Sequence, residues 1–161
     1  MSVVYPGSFD PLTCGHMDIL KRGAALYDRI FVGVLNNAQK RHAFSLDERK
    51  SFVELACRAE GLQNVEVRAF DGLLVDFAQA CGAQAILRGL RTPEDFTYEA
   101  QLCAANRHLA PELETVYLIA KPALAFLSSA LVREIGSYNG TIDGLVPDAI
   151  KNTIAERLSK R

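Results

Sequence analysis

The chain begins its first structural unit with VVYPGSFDPLTCGH, at residues 3–16. Apolar residues typical of a buried strand lead into a turn rich in Gly, Pro and Ser, and the segment ends in His16 at the predicted start of a helix. Backbone N–H groups at a helix N-terminus point at whatever binds there, and the helix dipole favours an anion. This strand–turn–helix unit therefore predicts a phosphate-binding turn, and with it nucleotide chemistry.

The same alternation of strand and helix patterns continues to the end of the chain. Predicted strands lie at 3–5, 30–35, 65–70, 85–87 and 116–119, and predicted helices at 15–26, 46–60, 73–81, 93–109, 128–135 and about 147–159. Parallel strands covered on both faces read as continuous apolar runs, as 30–35 does. Successive βα units with right-handed crossovers predict one domain, residues 1–161, built as a Rossmann-like, doubly wound, five-stranded parallel sheet with helices on both faces.

Two helix starts carry local signatures. Ser45 and Glu48 have the spacing of a capping box, in which each side chain bonds the backbone N–H of the other residue. Thr92, Pro93 and Asp95 place an N-cap, a proline at the first helical position and an acid at the third. These patterns predict that helices begin directly after Ser45 and Thr92.

Composition limits the possible partners. The 161 residues are 49% hydrophobic with a net charge of −1, so the protein as a whole does not attract nucleic acid or an anionic membrane. No window approaches the roughly 18 apolar residues of a membrane span, and no secretory signal opens the chain. The four cysteines have no CxxC spacing, which argues against zinc and predicts reduced thiols in a cytoplasmic protein. Three of them are expected to be small buried hydrophobes, whereas Cys14, at a helix N-terminus, is a candidate reactive thiol.

Candidate site residues, most of them polar, follow each predicted strand. In parallel sheets ligands bind outside the carboxyl ends of the strands, so these residues are expected to converge on one edge. They are Ser8 and His16, Lys40, the pair Leu73–Leu74, Arg88 and Arg91, and Ser128 and Ser129. The GxGxxG and GxxxxGK[ST] fingerprints are both absent, which weakens the common dehydrogenase and P-loop alternatives.

Within this set, the Arg-Gly-Leu-Arg segment at 88–91 is the strongest element after His16. Arginine's planar fork matches phosphate oxygens, and Gly89 lets the backbone approach a ligand closely. The serines have two compatible roles, helix cap and phosphate ligand.

Other positions remain open. Lys40 is weak on composition alone, because a charged loop is usually solvated. Arg133 could reach a phosphate or a carboxylate, Glu99 is solvated or paired unless it faces the cleft, and Asp10 either orients backbone amides or positions metal-bound water. The aromatic residues expected in the core are Phe9, Phe44, Phe70, Phe77, Phe96 and Phe126.

Taken together, these motifs resemble the bacterial phosphopantetheine adenylyltransferases over essentially the whole chain. The matching segments are YPGSFDP with Thr-x-Gly-His, then LRGLR at 87–91, Asp-Phe-x-Tyr-Glu at 95–99, NRHL at 106–109 and LSSALVRE at 127–134. The resemblance implies transfer of the adenylyl group of ATP to 4′-phosphopantetheine, giving dephospho-CoA and pyrophosphate with the help of Mg²⁺. It also implies a homohexamer inhibited by coenzyme A.

The resemblance also implies site residues by position. Lys40, Leu74 and Arg88 bind phosphopantetheine, and Ser8 and Phe9 meet both substrates. The implied ATP-binding residues are His16, Gly89, Leu90, Arg91, Glu99, Leu124, Ala125, Phe126, Leu127, Ser128, Ser129 and Ala130. The sequence departs from the family pattern at Ser8, where Thr is usual, at Ala130, which lacks a third hydroxyl, and at Leu124, where an aromatic is frequent.

The implied chemistry needs no protein nucleophile, because a substrate phosphate attacks. We expect His16 to stabilise the transition state, Lys40 and Arg88 to hold the attacking phosphate, and Arg91 with the 128–129 helix end to hold the leaving pyrophosphate. The sequence marks no metal ligands. Two alternatives remain open: a sister adenylyl- or cytidylyltransferase, and a nucleotide-binding regulator without turnover.

Overall fold

A computed structural model of the chain describes residues 1–37 and 41–159. Its strands are β1 (Ser2–Gly7), β2 (Arg29–Leu35), β3 (Val65–Phe70), β4 (Ala85–Leu90) and β5 (Glu114–Ile119). Its α-helices are α1 (Cys14–Leu26), α2 (Leu46–Ala59), α3 (Leu74–Ala80), α4 (Pro93–Leu109), α5 (Ser129–Ser137) and α6 (Asp148–Ser159), with a short 3-10 helix at Pro122–Leu124. The last helix, α6, follows Pro147 directly.

The strands form one parallel sheet in the order β3-β2-β1-β4-β5. The chain winds outward from β1 through β2 to β3, and then returns to the other side of β1 for β4 and β5. The predicted doubly wound, five-stranded parallel sheet is confirmed. Its topological switch point lies between β1 and β4, which is where such folds bind ligands.

The core lies on both faces of the sheet because neighbouring strand residues point in opposite directions. Val3 belongs to a large cluster built with α1, α2, α5 and α6, whereas Val4 belongs to a smaller cluster on the other face, with α3. Both residues are fully buried, and so is most of β2. This two-sided burial explains the continuous apolar run at 30–35.

Local signals in the sequence are confirmed at two helix starts. Ser45 accepts a bond from the Glu48 backbone N–H, and the Glu48 carboxylate accepts one from the Ser45 N–H. The Thr92 hydroxyl likewise caps α4 by accepting from the Asp95 N–H at 3.3 Å. No helix in the described part of the chain is long and apolar enough to cross a membrane.

Three expectations about the fold are wrong. Strand β4 continues through Leu90 because it pairs with β5 as far as Leu90↔Ile119, so Arg88 and Gly89 lie in a strand rather than a loop. Phe96 and Phe126 are 53% and 62% exposed rather than buried in the core; Phe96 makes an edge contact with the Tyr117 ring, with centroids 6.3 Å apart, which leaves most of its surface uncovered. Of the three cysteines expected to be buried, only Cys57 is; Cys81 and Cys103 are partly exposed.

Candidate active site

A crevice opens where β1 and β4 separate. The two strands pair at Val3↔Ala85 and Val4↔Ile86 near their amino ends, whereas β1 stays paired with β2 along its whole length. Two adjacent cavities occupy the resulting gap at the carboxyl ends of the strands. Pro6, Gly7, Ser8, Arg88 and Glu99 line both cavities and form the wall between them.

The first, cavity A, has a volume of about 340 Å³. It is bounded by the β1 turn, the first turn of α1, the end of β4 and the start of α5. The residues that line cavity A alone are Tyr5, Thr13, Gly15, His16, Ile19, Gly89, Arg91, Asp95, Ala120, Leu127, Ser128 and Ser129. Cavity A therefore brings together His16, Arg91 and the two serines, which are far apart in sequence.

His16 is held in one tautomer by the turn before it. Its Nδ1 accepts a hydrogen bond from the Thr13 backbone N–H at 3.1 Å, so the ring proton lies on Nε2. Burial, with the charges of Arg91 and Arg88, lowers the pKa of His16 from 6.5 to about 4. His16 is therefore a neutral hydrogen-bond donor at physiological pH.

Arg88 bridges the gap between the separated strands. Its Nη1 donates to the carbonyl oxygen of Pro6 on β1 at 3.0 Å, and its Nε donates to Glu99 Oε2 at 2.8 Å. Nη2 donates to the other Glu99 oxygen. Burial alone would lower the pKa of Arg88, but the Glu99 carboxylate outweighs it and the pKa is raised. The guanidinium thus carries a permanent positive charge between the two cavities.

Arg91 is held on the cavity A side of the same strand end. Its Nε and Nη2 donate to the two oxygens of Asp95 at 2.9 and 3.1 Å, and its Nη1 donates to the Leu127 carbonyl oxygen at 3.0 Å. Burial would raise the pKa of Asp95, but the bonds from Arg91 and its backbone lower it. Asp95 is therefore ionised beside a cation at neutral pH.

The N-terminus of α5 closes cavity A. The Ser128 hydroxyl accepts from the Leu131 N–H at 3.1 Å and so caps the helix, and the Ser129 hydroxyl donates to the Pro11 carbonyl oxygen at 2.7 Å. Both serines still line the cavity. Cap and ligand roles are compatible here, since the helix end presents its remaining N–H groups to the same space.

The second, cavity B, has a volume of about 520 Å³ and a different character. Leu35, Phe70, Leu73, Leu74 and Leu102 make much of its wall apolar, and Asn37, Tyr98 and Asn106 add polar groups. Four residues of α4 that no sequence motif indicated also line cavity B: Tyr98, Leu102, Cys103 and Asn106. Tyr98, Leu102 and Asn106 follow one another at four-residue intervals and Cys103 stands three residues before Asn106, which places them on one helix face and is the signal that could have found them.

Several implied site residues lie outside both cavities. Phe9 is only 2% exposed and packs edge-on against the His16 ring, with centroids 5.2 Å apart, so it supports His16 from the core. The others outside the cavity linings are Leu90, Leu124, Ala125, Phe126 and Ala130. Lys40 lies outside the described residues.

Asp10 and Arg133, whose roles the sequence left open, contact each other. The buried Asp10 carboxylate accepts from the backbone N–H groups of Ala43 and Phe44, both at 2.9 Å. Arg133 donates to the Asp10 carbonyl oxygen and lies 3.5 Å from its carboxylate. Asp10 thus orients backbone amides, and it ties the loop before α2 to the β1 turn.

The described residues contain no group of three or more His, Cys, Asp or Glu that could hold a metal ion. The two carboxylates of cavity A, Asp95 and Glu99, are each paired with an arginine. This donor set does not form an all-protein metal cage. It is compatible with Mg²⁺ carried largely by substrate phosphates and water, which is how Mg²⁺ usually binds beside phosphates.

Comparison with known proteins agrees with this architecture. The chain belongs to the cytidylyltransferase-like family, whose model matches residues 4–135. A crystal structure from Vibrio parahaemolyticus, provisionally assigned as a nicotinate-nucleotide adenylyltransferase, superposes with a TM-score of 0.71 over 97% of this chain and 94% of that one. At 14% identity, this likeness supports the fold alone.

Closer relatives narrow the assignment. A phosphopantetheine adenylyltransferase of Finegoldia magna is 46% identical over 99% of this chain and 97% of its own length. One from Caldanaerobacter subterraneus is 45% identical over 98% of this chain and 97% of its own length. One from Synechococcus is 46% identical over 96% of this chain and 93% of its own length. Within the wider family, the chain therefore belongs with the phosphopantetheine adenylyltransferases.

Proposed function

We propose that the protein transfers the adenylyl group of ATP to 4′-phosphopantetheine, releasing pyrophosphate and forming dephospho-CoA. The observation that carries this proposal is the pair of adjacent cavities that share Ser8 and Arg88. An adenylyl transfer between two large substrates needs two compartments that meet at the reacting phosphates. Relatives named phosphopantetheine adenylyltransferase, which are 42–46% identical to this chain, support the same reaction.

In this proposal cavity A takes ATP. The α5 N-terminus, Arg91 and the serines hold the phosphates that leave as pyrophosphate, and Gly89 and Leu127, which also line cavity A, contact the rest of the nucleotide. Mg²⁺ bound through ATP phosphates and water would neutralise phosphate charge, since the described residues offer no cluster of carboxylates to hold it. The cluster of N–H donors suits a charge that grows as pyrophosphate departs.

Cavity B takes phosphopantetheine. Its apolar wall, including Leu74, fits the hydrocarbon parts of the pantetheine arm, and Asn37 and Asn106 can pair with amide groups. The phosphate of the arm lies at the shared wall, beside Ser8 and Arg88. Lys40 follows β2 and is proposed as a second cation for that phosphate.

The chemical step is an in-line displacement. A phosphate oxygen of phosphopantetheine forms a bond to the α-phosphorus of ATP as the bond from that phosphorus to the bridging oxygen of pyrophosphate breaks. No protein group is consumed, so the protein contributes positioning and electrostatics. The neutral His16 donates its Nε2–H to the α-phosphate as negative charge builds there, without having to lose or gain a proton.

Pyrophosphate release tests the proposal directly. Purified protein with ATP and Mg²⁺ is supplied in parallel with phosphopantetheine, nicotinamide mononucleotide and glycerol phosphate. Release only with phosphopantetheine is expected. Release with another acceptor would favour a sister nucleotidyltransferase, and ATP binding without release would favour a regulator.

We also propose that six chains assemble. Outside the two cavities, large apolar side chains are exposed on α4 and on the end of β5, and a second copy of the chain would cover them; they are Phe96, Leu109 and Ile119. Light scattering should then give about six times the 17.7 kDa chain mass. Leu109→Glu should break the assembly, whereas Leu26→Glu, exposed on α1, should not. A monomeric mass for the unmodified protein would contradict the proposal.

Coenzyme A is the proposed feedback inhibitor, because it carries both the pantetheine arm and an adenine nucleotide. Inhibition should be competitive with phosphopantetheine. The reaction is proposed to take place in the cytoplasm, where the four cysteines, none of them in a disulfide, would stay reduced.

A further inference from the structure

We infer that Asp95 and Glu99 are positioning residues that prepare Arg91 for ATP and Arg88 for phosphopantetheine, respectively. The inference rests on the proposed function and deepens it. Asp95 and Glu99 stand one helical turn apart on α4, and Arg88 and Arg91 stand three residues apart at the end of β4. One helix therefore faces both arginines with a carboxylate each.

The two pairs have the same bonding pattern. In each, the carboxylate accepts from Nε and Nη2, along one edge of the guanidinium. In each, Nη1 donates to a backbone carbonyl of another segment at 3.0 Å: Pro6 on β1 for Arg88, and Leu127 in the loop before α5 for Arg91. This repetition fixes both the position and the plane of each guanidinium before any substrate arrives.

The pattern leaves the same two donors on each arginine. A guanidinium has five N–H groups, and these bonds use three of them. On each arginine, one N–H on Nη1 and one on Nη2 have no partner among the described residues, so two donors remain for phosphate oxygens. The carboxylates thus select which edge of each arginine is offered to the substrate.

This assignment changes the expected role of Glu99. The resemblance implies that Glu99 binds ATP, but its side chain is buried and both of its oxygens bond Arg88. A carboxylate beside ATP phosphates would also repel them, unless a cation lies between. Glu99 therefore acts through Arg88, at the wall that the two cavities share.

The experiment separates the two substrates. Glu99→Gln and Asp95→Asn keep the size and polarity of the side chain. They remove its charge and replace one of the two oxygens that accept from the arginine with an NH₂ group. Binding of ATP and of phosphopantetheine is measured separately by calorimetry, together with kcat and KM. Glu94→Gln is the matched control, since Glu94 is exposed on the same helix turn and bonds no arginine in the described part of the chain.

We expect Glu99→Gln to weaken phosphopantetheine binding about tenfold or more, with ATP binding changed less than about twofold. Asp95→Asn should do the reverse, and Glu94→Gln should change neither. In each variant, normal binding of the unaffected substrate shows that the fold is intact. Should Glu99→Gln fail to fold, Glu99→Asp serves instead, because Asp keeps the charge but is one methylene shorter, so it cannot hold the Arg88 guanidinium in the same place.

Three outcomes would overturn the inference. Weaker ATP binding with normal phosphopantetheine binding in Glu99→Gln would make Glu99 a direct ATP ligand. Tighter ATP binding in Asp95→Asn would mean that the carboxylate competes with phosphates for Arg91. Equal loss of both substrates in a folded variant would remove the assignment of one arginine to each substrate. Pyrophosphate release by the unmodified protein tests the proposed function independently of these results.

Discussion

Thr13 and His16 bond each other in both directions across the first turn of α1. The Thr13 N–H donates to His16 Nδ1 at 3.1 Å, and the His16 N–H donates to the Thr13 hydroxyl at 3.3 Å. The helix cap and the tautomer of the histidine are therefore set by the same two residues. As a result, Nε2 carries the ring proton, and a neutral imidazole can serve as a donor in cavity A.

The first prediction concerns the rate. His16→Ala should fold normally and lose about 10²–10³-fold in kcat, the usual cost of one donor to a developing charge. Thr13→Val is the matched control. It loses a cap worth about 1 kcal/mol, but it keeps the backbone N–H that sets the tautomer, so kcat should change little. Steady-state pyrophosphate release measures both, and near-normal turnover in His16→Ala would refute the role.

The second prediction concerns stability against pH. Because burial and the two arginines lower the pKa of His16 to about 4, the folded protein does not bind the proton that the unfolded chain accepts near 6.5. The contribution of His16 to the free energy of unfolding is fully present above pH 6.5, and it decreases as the pH falls from 6.5 toward 4. Urea unfolding at several pH values should show that the free energy of unfolding falls more steeply with decreasing pH in the unmodified protein than in His16→Asn. Parallel curves would contradict this.

The third prediction concerns Arg49, which is buried and ties three segments together. Its guanidinium donates to the carbonyl oxygens of Ser8 at 2.7 Å, Leu35 at 2.9 Å and Phe44 at 3.2 Å. Arg49→Met should cost about 3 kcal/mol or more in the free energy of unfolding, since it leaves three carbonyls without a donor. Arg58→Ala, on the exposed side of the same helix, should stay within about 0.5 kcal/mol. Similar losses in the two variants would disprove the role given to Arg49.

The fourth prediction concerns Cys14, which the sequence marked as a candidate reactive thiol. Burial, followed by the charges of Asp148 and Glu60, raises its pKa, so less thiolate forms at neutral pH than in an ordinary cysteine. Iodoacetamide should modify Cys14 more slowly than it modifies glutathione, and Cys14→Ala should leave kcat within about twofold. Faster labelling of Cys14 than of glutathione would show that the helix N-terminus dominates.

Local patterns in the chain account for most of its architecture. The apolar run at 30–35, the Ser45–Glu48 capping box and the Thr92 cap depend on residues only a few positions apart. Such features can be predicted because backbone sterics and short-range hydrogen bonds produce them. The order of strand and helix segments then restricts the sheet to a parallel, doubly wound form, since βα units cross over with one hand.

The sequence by itself therefore determined the fold class, the carboxyl edge of the sheet as the place of the site, and His16, Arg88 and Arg91 as candidates. Only the tertiary structure decided how these residues are held. Three features depend on contacts between separate segments of the chain. They are the extension of β4 to Leu90 beside β5, the burial of Glu99 against Arg88, and the bond from Arg91 to Leu127. The exposure of Phe96 and Phe126 is decided in the same way. The physical reason is that side-chain burial and pairing depend on which elements the folded chain brings together, and no local pattern encodes that arrangement.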